Sequence, residues 1–244
     1  TLFMEDSTVP LGNRLKGSIT PPCSKSYAQR ALAAALLAKG CTTLRGIELC
    51  RDTRSAIAAI ESLGAEVEIV DNNTLQIRGG LNPKLDRVNV GESGLAARLF
   101  TPIASLHDEP IVIEGEGTLR HRPMSMMVVP LKELGVDVRD GGGRLPIEVC
   151  GPIRGGRVTV DGSMSSQFVT GLLIALPLAE RDTTIEVEGL VSTPYIDMTL
   201  ETLERFGVEV MYHEGDYSEF YIEGGQEFKA VDYTIESDWS AAAT

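Results

Sequence analysis

The chain has 244 residues, enough to bury a substantial core in one or two domains, and its 43% hydrophobic and 23% charged content is that of a water-soluble globular protein. A formal net charge of −13 argues against a nucleic-acid surface, which needs a basic stripe, and no run of about 20 apolar residues offers a membrane span. Four cysteines (Cys23, Cys41, Cys50, Cys150) without metal-ligand spacing and three scattered histidines speak against a zinc site or a disulfide framework, and point to a reducing, cytoplasmic compartment.

The opening residues, Thr1 to Asp6, lack the basic-then-apolar order of a signal peptide, and residues 1–14 stand outside the pattern that follows. An extended segment at 17–20 ends at Pro21-Pro22. The next residues, Cys23-Ser24-Lys25-Ser26-Tyr27-Ala28-Gln29-Arg30, run straight into an alanine/leucine stretch. That order predicts a loop opening a helix, with serines at the cap. Unpaired N–H groups at a helix start attract anions. Lys25, the two serines, and Arg30 about one turn on make the stretch a plausible anion cradle, set against an ordinary capped helix with solvated cations.

From here the chain repeats itself. The interval from Gly46 to Gly64 is the same as that from Gly117 to Gly135 and from Gly189 to Gly207, and the pairs follow one another at a nearly constant period. A β-rich run precedes each first glycine, and another follows each second one. Each copy closes on a strand and a glycine turn, at Gly79-Gly80, Gly151 and Gly224-Gly225. Between the paired glycines, Ile57, Ile60 and Leu63, then Met127, Leu131 and Leu134, and more loosely Met198, Leu200, Leu203 and Phe206, space apolar groups as one face of a helix. The glycine after each such helix suits a left-handed C′ position. Ahead of each block lies a helix that is apolar nearly all round (residues 26–38, 93–106 and 165–178), which implies burial.

The predicted fold class is therefore α+β: three βαβαββ units, at about 15–81, 82–155 and 156–230, forming one pseudo-threefold domain with buried central helices and outer sheets. Residues 1–14 and 231–244 fall outside the repeat. A strand at 231–235 and a capped helix start over 236–244 lead to the expectation of a further domain, of which this chain holds only the beginning.

Several motifs punctuate the copies: Ser24-Lys25-Ser26 with Arg30; Gly91-Glu92-Ser93-Gly94 with Arg98; Arg122-Pro123; Asp161-Gly162-Ser163-Met164-Ser165-Ser166-Gln167-Phe168; and Ser192-Thr193-Pro194-Tyr195-Ile196-Asp197. With these the whole chain resembles about the first half of the 5-enolpyruvylshikimate-3-phosphate (EPSP) synthase family, the fourth and fifth motifs being the specific ones. The resemblance implies one half of a two-domain fold that closes on its substrates. It also implies transfer of the enolpyruvyl group of phosphoenolpyruvate to the 5-hydroxyl of shikimate 3-phosphate, with release of phosphate. By motif, Lys25, Gly94, Arg122 and Gln167 would meet phosphoenolpyruvate. Lys25, Ser26, Arg30, Ser165, Ser166, Gln167, Ser192 and Tyr195 would meet shikimate 3-phosphate, with Tyr195 packing near its ring.

No metal or organic cofactor is called for, and the partners implied are the two substrates and a C-terminal domain of the same, monomeric protein. The general acid/base groups would belong to that domain, so the chain alone is expected not to turn over. On residue chemistry, Arg98 is expected to pair with a carboxylate, and Phe168 to pack; Arg120 and His121 fit a solvated turn. Four positions depart from the family's usual pattern: Cys23, Glu92, Leu95 and Thr193. Glu92 would repel an anion unless a base such as Arg98 neutralised it. Competing readings are UDP-N-acetylglucosamine enolpyruvyl transferase, RNA 3′-phosphate cyclase and a non-catalytic phosphometabolite-binding domain.

Overall fold

In the computed structural model, which describes residues 21–238, the chain runs through three successive units of one kind. The first holds α1 (Lys25–Leu37), β1 (Cys41–Arg45), α2 (Arg51–Ser62), β2 (Glu66–Asp71) and β3 (Thr74–Arg78). The second holds β4 (Arg87–Asn89), α3 (Gly94–Ala104), β5 (Ile111–Glu114), α4 (Val128–Glu133), β6 (Asp137–Asp140) and β7 (Ile147–Cys150). The third holds β8 (Gly156–Asp161), α5 (Gln167–Ala175), β9 (Thr183–Glu188), α6 (Pro194–Arg205), β10 (Met211–His213) and β11 (Asp216–Ile222), and β12 (Asp232–Thr234) follows.

Each unit owns one four-stranded sheet of the same order: β12-β1-β3-β2, β4-β5-β7-β6 and β8-β9-β11-β10. The first pair in each is parallel and the other two are antiparallel. An arginine–carboxylate pair ties each parallel pair together, Arg45 with Asp232, Arg87 with Glu114 and Arg157 with Glu186. All three are exposed, so each adds little to stability.

The strand expected at 17–20, the segment 1–14 and residues 239–244 of the helix expected over 236–244 lie outside the described residues; residues 236–238 are not helical, and Ser237 bridges Cys23 instead. β12 differs from expectation. The sequence reading starts a further domain at 231, yet β12 lies in the first sheet, parallel to β1, with Thr43 facing Asp232 and Arg45 facing Thr234. It holds the place that β4 and β8 hold in the other two sheets.

The central helices are buried as their composition implies. Every residue of α3 is buried, and Ala28 to Leu37 of α1 and Phe168 to Ala175 of α5 are buried as well. Such helices need cover on all sides, and the sheets and the amphipathic α2, α4 and α6 provide it in one continuous apolar core. Ile60, Leu63, Met127, Leu131, Leu134, Leu203 and Phe206 point into that core. In α6 the buried face is Ile196, Thr199, Thr202 and Leu203, whereas Met198 and Leu200 are half-buried. The shift by one position explains why the third copy's periodicity is loose. Gly64, Gly135 and Gly207 have φ of +122°, +89° and +77°, the left-handed exit that lets the chain turn from helix to strand.

The closing glycines serve a different purpose. A Cβ on Gly79 would stand 2.3 Å from the carbonyl oxygens of Ala35 and Ala38, one on Gly151 2.0 Å from Ser105 O, and one on Gly224 2.7 Å from Ala179 O. Each strand thus ends pressed on the chain at the C-terminal end of its own central helix (in the third unit Ala179, just past a 3-10 turn at Leu176–Leu178 that extends α5), and Gly80, Ile153 and Gly225 donate N–H groups to carbonyls there. Gly151→Ala is expected to cost about 1–3 kcal/mol, because backbone must move on both sides. Thermal denaturation should then show Tm falling by about 2–4 °C per kcal/mol.

Candidate functional site

The threefold arrangement brings the N-termini of α1, α3 and α5 to one cavity of about 410 Å³. Ser24 caps α1 by accepting from Tyr27 N–H at 3.4 Å, and Ser93 caps α3 by accepting from Ala96 N–H at 3.2 Å. Ser166 begins α5 without using its hydroxyl as a cap, and Ser165 Oγ accepts from Gln167 N–H at 3.2 Å. The segments entering the outer helices complete the wall with Asp52, Arg122, Ser192 and Tyr195. All the residues singled out by motif, Lys25, Ser26, Arg30, Gly94, Arg122, Ser165, Ser166, Gln167, Ser192 and Tyr195, line this one cavity.

Arg30 is fully buried and held on four sides by neutral oxygens. Its Nε donates to Thr199 Oγ1 (2.9 Å) and Nη1 to the Ser26 carbonyl (2.9 Å); Nη2 donates to the Tyr195 carbonyl (2.9 Å) and Thr170 Oγ1 (3.2 Å). The two threonine hydroxyls are 3.0 Å apart, so α1, α5 and α6 meet around this guanidinium. Burial pushes Arg30 down to about 10, which leaves it charged at neutral pH. No carboxylate forms an ion pair with it among the described residues.

Arg98 behaves in the same way, contrary to the carboxylate pairing expected from sequence. Nη1 donates to Gly94 O (3.1 Å) and Gln167 Oε1 (2.9 Å), Nη2 donates to Pro123 O (3.1 Å), and Nε is buried without a partner. Burial, and then the nearby Arg122, lowers its pKa. The bond to Gln167 Oε1 fixes that amide and keeps its NH₂ available as a donor. Glu92 does not neutralise Arg98: its nearest cation is exposed Arg51, at 3.9 Å. Arg120 turns away and donates to Gly115 O at 2.8 Å, leaving Arg122 as that turn's cation at the cavity.

Lys25 is paired in this state, its Nζ 3.1 Å from Asp52 Oδ2, and that hydrogen bond raises its pKa. Both groups are half-exposed, so the pair is weak enough to exchange with an incoming anion. Gly94 leaves room for the guanidiniums, since a Cβ there would stand 3.0 Å from Nη1 of both Arg98 and Arg122. Ser192 has φ +60°, alone among the described non-glycine residues in the left-handed region, and such strain concentrates at functional sites. Tyr195 is 46% exposed at the rim, with the Arg30 guanidinium 5.9 Å from its ring centroid. Phe168 is buried packing, as expected.

Gln29 and Asp52 were missed by sequence reading. Gln29 accepts from Ser93 Oγ at 2.9 Å and so ties α1 to the start of α3. Its only local signal is its place beside Arg30. Asp52 is separated from Lys25 by the rest of α1 and the whole of β1, and nothing in its neighbourhood marks it. Together the wall offers cations, hydroxyls and three helix starts, a donor set suited to phosphate and carboxylate oxygens. It does so within a chain of net charge −13, so the attraction is local.

The profile of the family described as EPSP synthase (3-phosphoshikimate 1-carboxyvinyltransferase) matches residues 9–244. A 3-phosphoshikimate 1-carboxyvinyltransferase of Methanothermobacter thermautotrophicus is 38% identical over 98% of this chain and 57% of its own length. One from Proteus mirabilis is 37% identical over 98% of this chain and 58% of its own. The solved EPSP synthase from Acinetobacter baumannii superposes with a TM-score of 0.82 at 25% identity, covering 93% of this chain and 51% of that one. The chain thus spans somewhat over half the length of the curated relatives it matches.

Gly94→Ala is expected to weaken binding of a small phosphorylated carboxylate about tenfold, the loss of one charge-assisted hydrogen bond. Calorimetric titration of the two proteins checks this. Equal affinities would show that the guanidiniums can step aside without cost.

Proposed function

The chain belongs to the EPSP synthase family, and on that premise we propose that it forms the three-unit half of an enzyme joining phosphoenolpyruvate to shikimate 3-phosphate. The observation that carries this reading is the pair of buried guanidiniums, Arg30 and Arg98, held by neutral oxygens with no carboxylate paired to either among the described residues. A buried charge left without a counter-charge is costly, and a bound anion relieves that cost.

Both substrates carry a phosphate and a carboxylate. In this reading Arg122, Gln167 and the backbone at Gly94 hold phosphoenolpyruvate. Lys25 exchanges Asp52 for it and offsets the charge of the departing phosphate. Ser165, Ser166 and Ser192 donate hydroxyls to shikimate 3-phosphate. Ser26, Gln167 and Arg30 complete the grip from α1 and α5, Lys25 reaches both substrates, and the Tyr195 ring packs on the sugar-like ring. The 5-hydroxyl oxygen adds to C2 of phosphoenolpyruvate while C3 takes a proton; phosphate then leaves as C3 gives a proton back. The acid and base for these transfers belong to a second half. Residues 15–230, with β12 closing the first sheet, are the substrate-binding domain in this scheme, and 1–14 and the chain beyond β12 lead to the other domain. The assembled protein works as a cytoplasmic monomer. Among the described residues no helix is long and apolar enough to cross a membrane.

Two measurements test the proposal. Amide NMR titration with shikimate 3-phosphate should shift Arg30, Ser165, Ser166, Gln167 and Ser192, and an unchanged spectrum at millimolar ligand would count against it. With both substrates present, the purified chain should release no phosphate above the blank. Turnover by the chain alone would refute the assignment of acid/base groups to a second half.

A further inference from the structure

Lys25 also borders a second, smaller cavity of about 200 Å³, whose other lining residues are Pro22, Cys23, Glu48, Cys50 and Asp238. It brings two free, partly exposed thiols together. Cys23 immediately precedes Ser24, the cap of α1, and Cys50 is the capping position of α2. Each thiol therefore stands just ahead of one member of the Lys25–Asp52 pair. Neither sulfur is firmly held. Cys23 Sγ lies 3.7 Å from the Ser24 carbonyl, and Cys50 Sγ accepts from Thr53 Oγ1 at 3.5 Å. Both residues belong to connecting segments, Cys23 on an isolated bridge to Ser237 and Cys50 on a turn closed by its own N–H to Glu48 O. Closing a sulfur–sulfur bond, which needs the two Cα atoms within about 4.4–6.8 Å, would therefore move these connecting segments rather than the interior of a helix or strand.

We propose that Cys23 and Cys50 form a reversible thiol pair, and that a disulfide between them holds Lys25 on Asp52 and away from a bound phosphoanion. The oxidant is a low-molecular-weight disulfide. One thiolate attacks it, forms a mixed disulfide and releases one thiol. The second cysteine then loses its proton and displaces the other thiol, so the two cysteines are oxidised and the reagent is reduced to two thiols. Burial raises the pKa of Cys23, a backbone hydrogen bond at Glu48 works against it, and the charges of Glu48, Cys50 and Asp238 add to the rise, so the pair stays as thiols until oxidant is abundant. Cytosolic disulfides of this kind are transient and redox-sensing rather than structural. Closing the bond draws the starts of α1 and α2 together, and those starts carry Lys25 and Asp52. The consequence for ligand binding rests on the proposed phosphoanion site; the consequence for Lys25 does not.

The experiment incubates the chain with oxidised glutathione, blocks remaining thiols with N-ethylmaleimide and maps peptides by mass spectrometry. A peptide linking Cys23 to Cys50 is expected, with exposed Cys41 carrying glutathione instead. Acetic anhydride then reports on the Lys25 amine. Its acetylation should slow about tenfold on oxidation, recover with dithiothreitol and stay unchanged in Cys50→Ser, because the existing Lys25–Asp52 contact then opens less often. Phosphoenolpyruvate affinity should fall in parallel. Separate glutathione adducts on Cys23 and Cys50, or a linked peptide with Lys25 reactivity unaltered, would overturn the proposal. Absence of phosphoenolpyruvate binding by the reduced chain would count against the enolpyruvyl reading alone, since peptide linkage and amine reactivity need no ligand.

Discussion

A helix that is apolar on every side has to be covered on every side, and this chain contains three of them in α1, α3 and α5. One sheet cannot cover a helix all round, so each is enclosed by its own sheet, by an outer helix and by the other central helices. Contact between α3 and α5 is close enough that a Cβ on Gly171 would stand 2.3 Å from the Arg98 carbonyl. Burying each large aliphatic side chain contributes about 1.5–3 kcal/mol, so this core is the main favourable term of the fold. The same enclosure brings the three helix starts to a common cavity, because the units share one connectivity and one direction.

At that end the energetics run the other way. The starts of α1, α3 and α5, the buried Arg30 guanidinium and a strained Ser192 backbone meet at the cavity, with the Arg98 guanidinium buried behind Gly94. Arg30 is satisfied hydrogen bond by hydrogen bond yet has no ion-pair partner among the described residues, and burial lowers its pKa. The packing of α1 against α5 and α6 fixes that guanidinium before any ligand arrives, through Thr170, Thr199 and the Tyr195 carbonyl. Preorganisation of this kind moves the cost of ordering from binding to folding. The exception is Lys25, which rests on Asp52 and is the one basic group of the cavity with an ion-pair partner among the described residues.

Closure of the first sheet has its own consequence. β12 comes from far along the chain to fill the position next to β1, and residues 236–238 run beside 22–24 through Ser24 N–H to Glu236 O and Asp238 N–H to Pro22 O. The first and last described segments thus lie side by side, next to Lys25 and the two thiols. Events along those paired segments are mechanically adjacent to the cavity.

Much of this was legible in the residues. The repeat of paired glycines, the alternation of buried and amphipathic helices and the motifs at their starts were enough for the fold class and for naming residues that the fold gathers at one cavity, because each signal depends on neighbours within one or two helical turns. The closing glycines could be seen as a pattern, but their reason could not: each meets the end of a central helix from which a strand, an outer helix and a hairpin separate it along the chain. The tertiary structure alone decided that β12 joins the first sheet, that Arg98 binds carbonyls and Gln167 rather than a carboxylate, that Arg51 and not Arg98 lies nearest Glu92, and that Asp52 holds Lys25. Each of those outcomes depends on which distant groups the packing of buried helices brings within a few ångströms, and local periodicity carries no record of that.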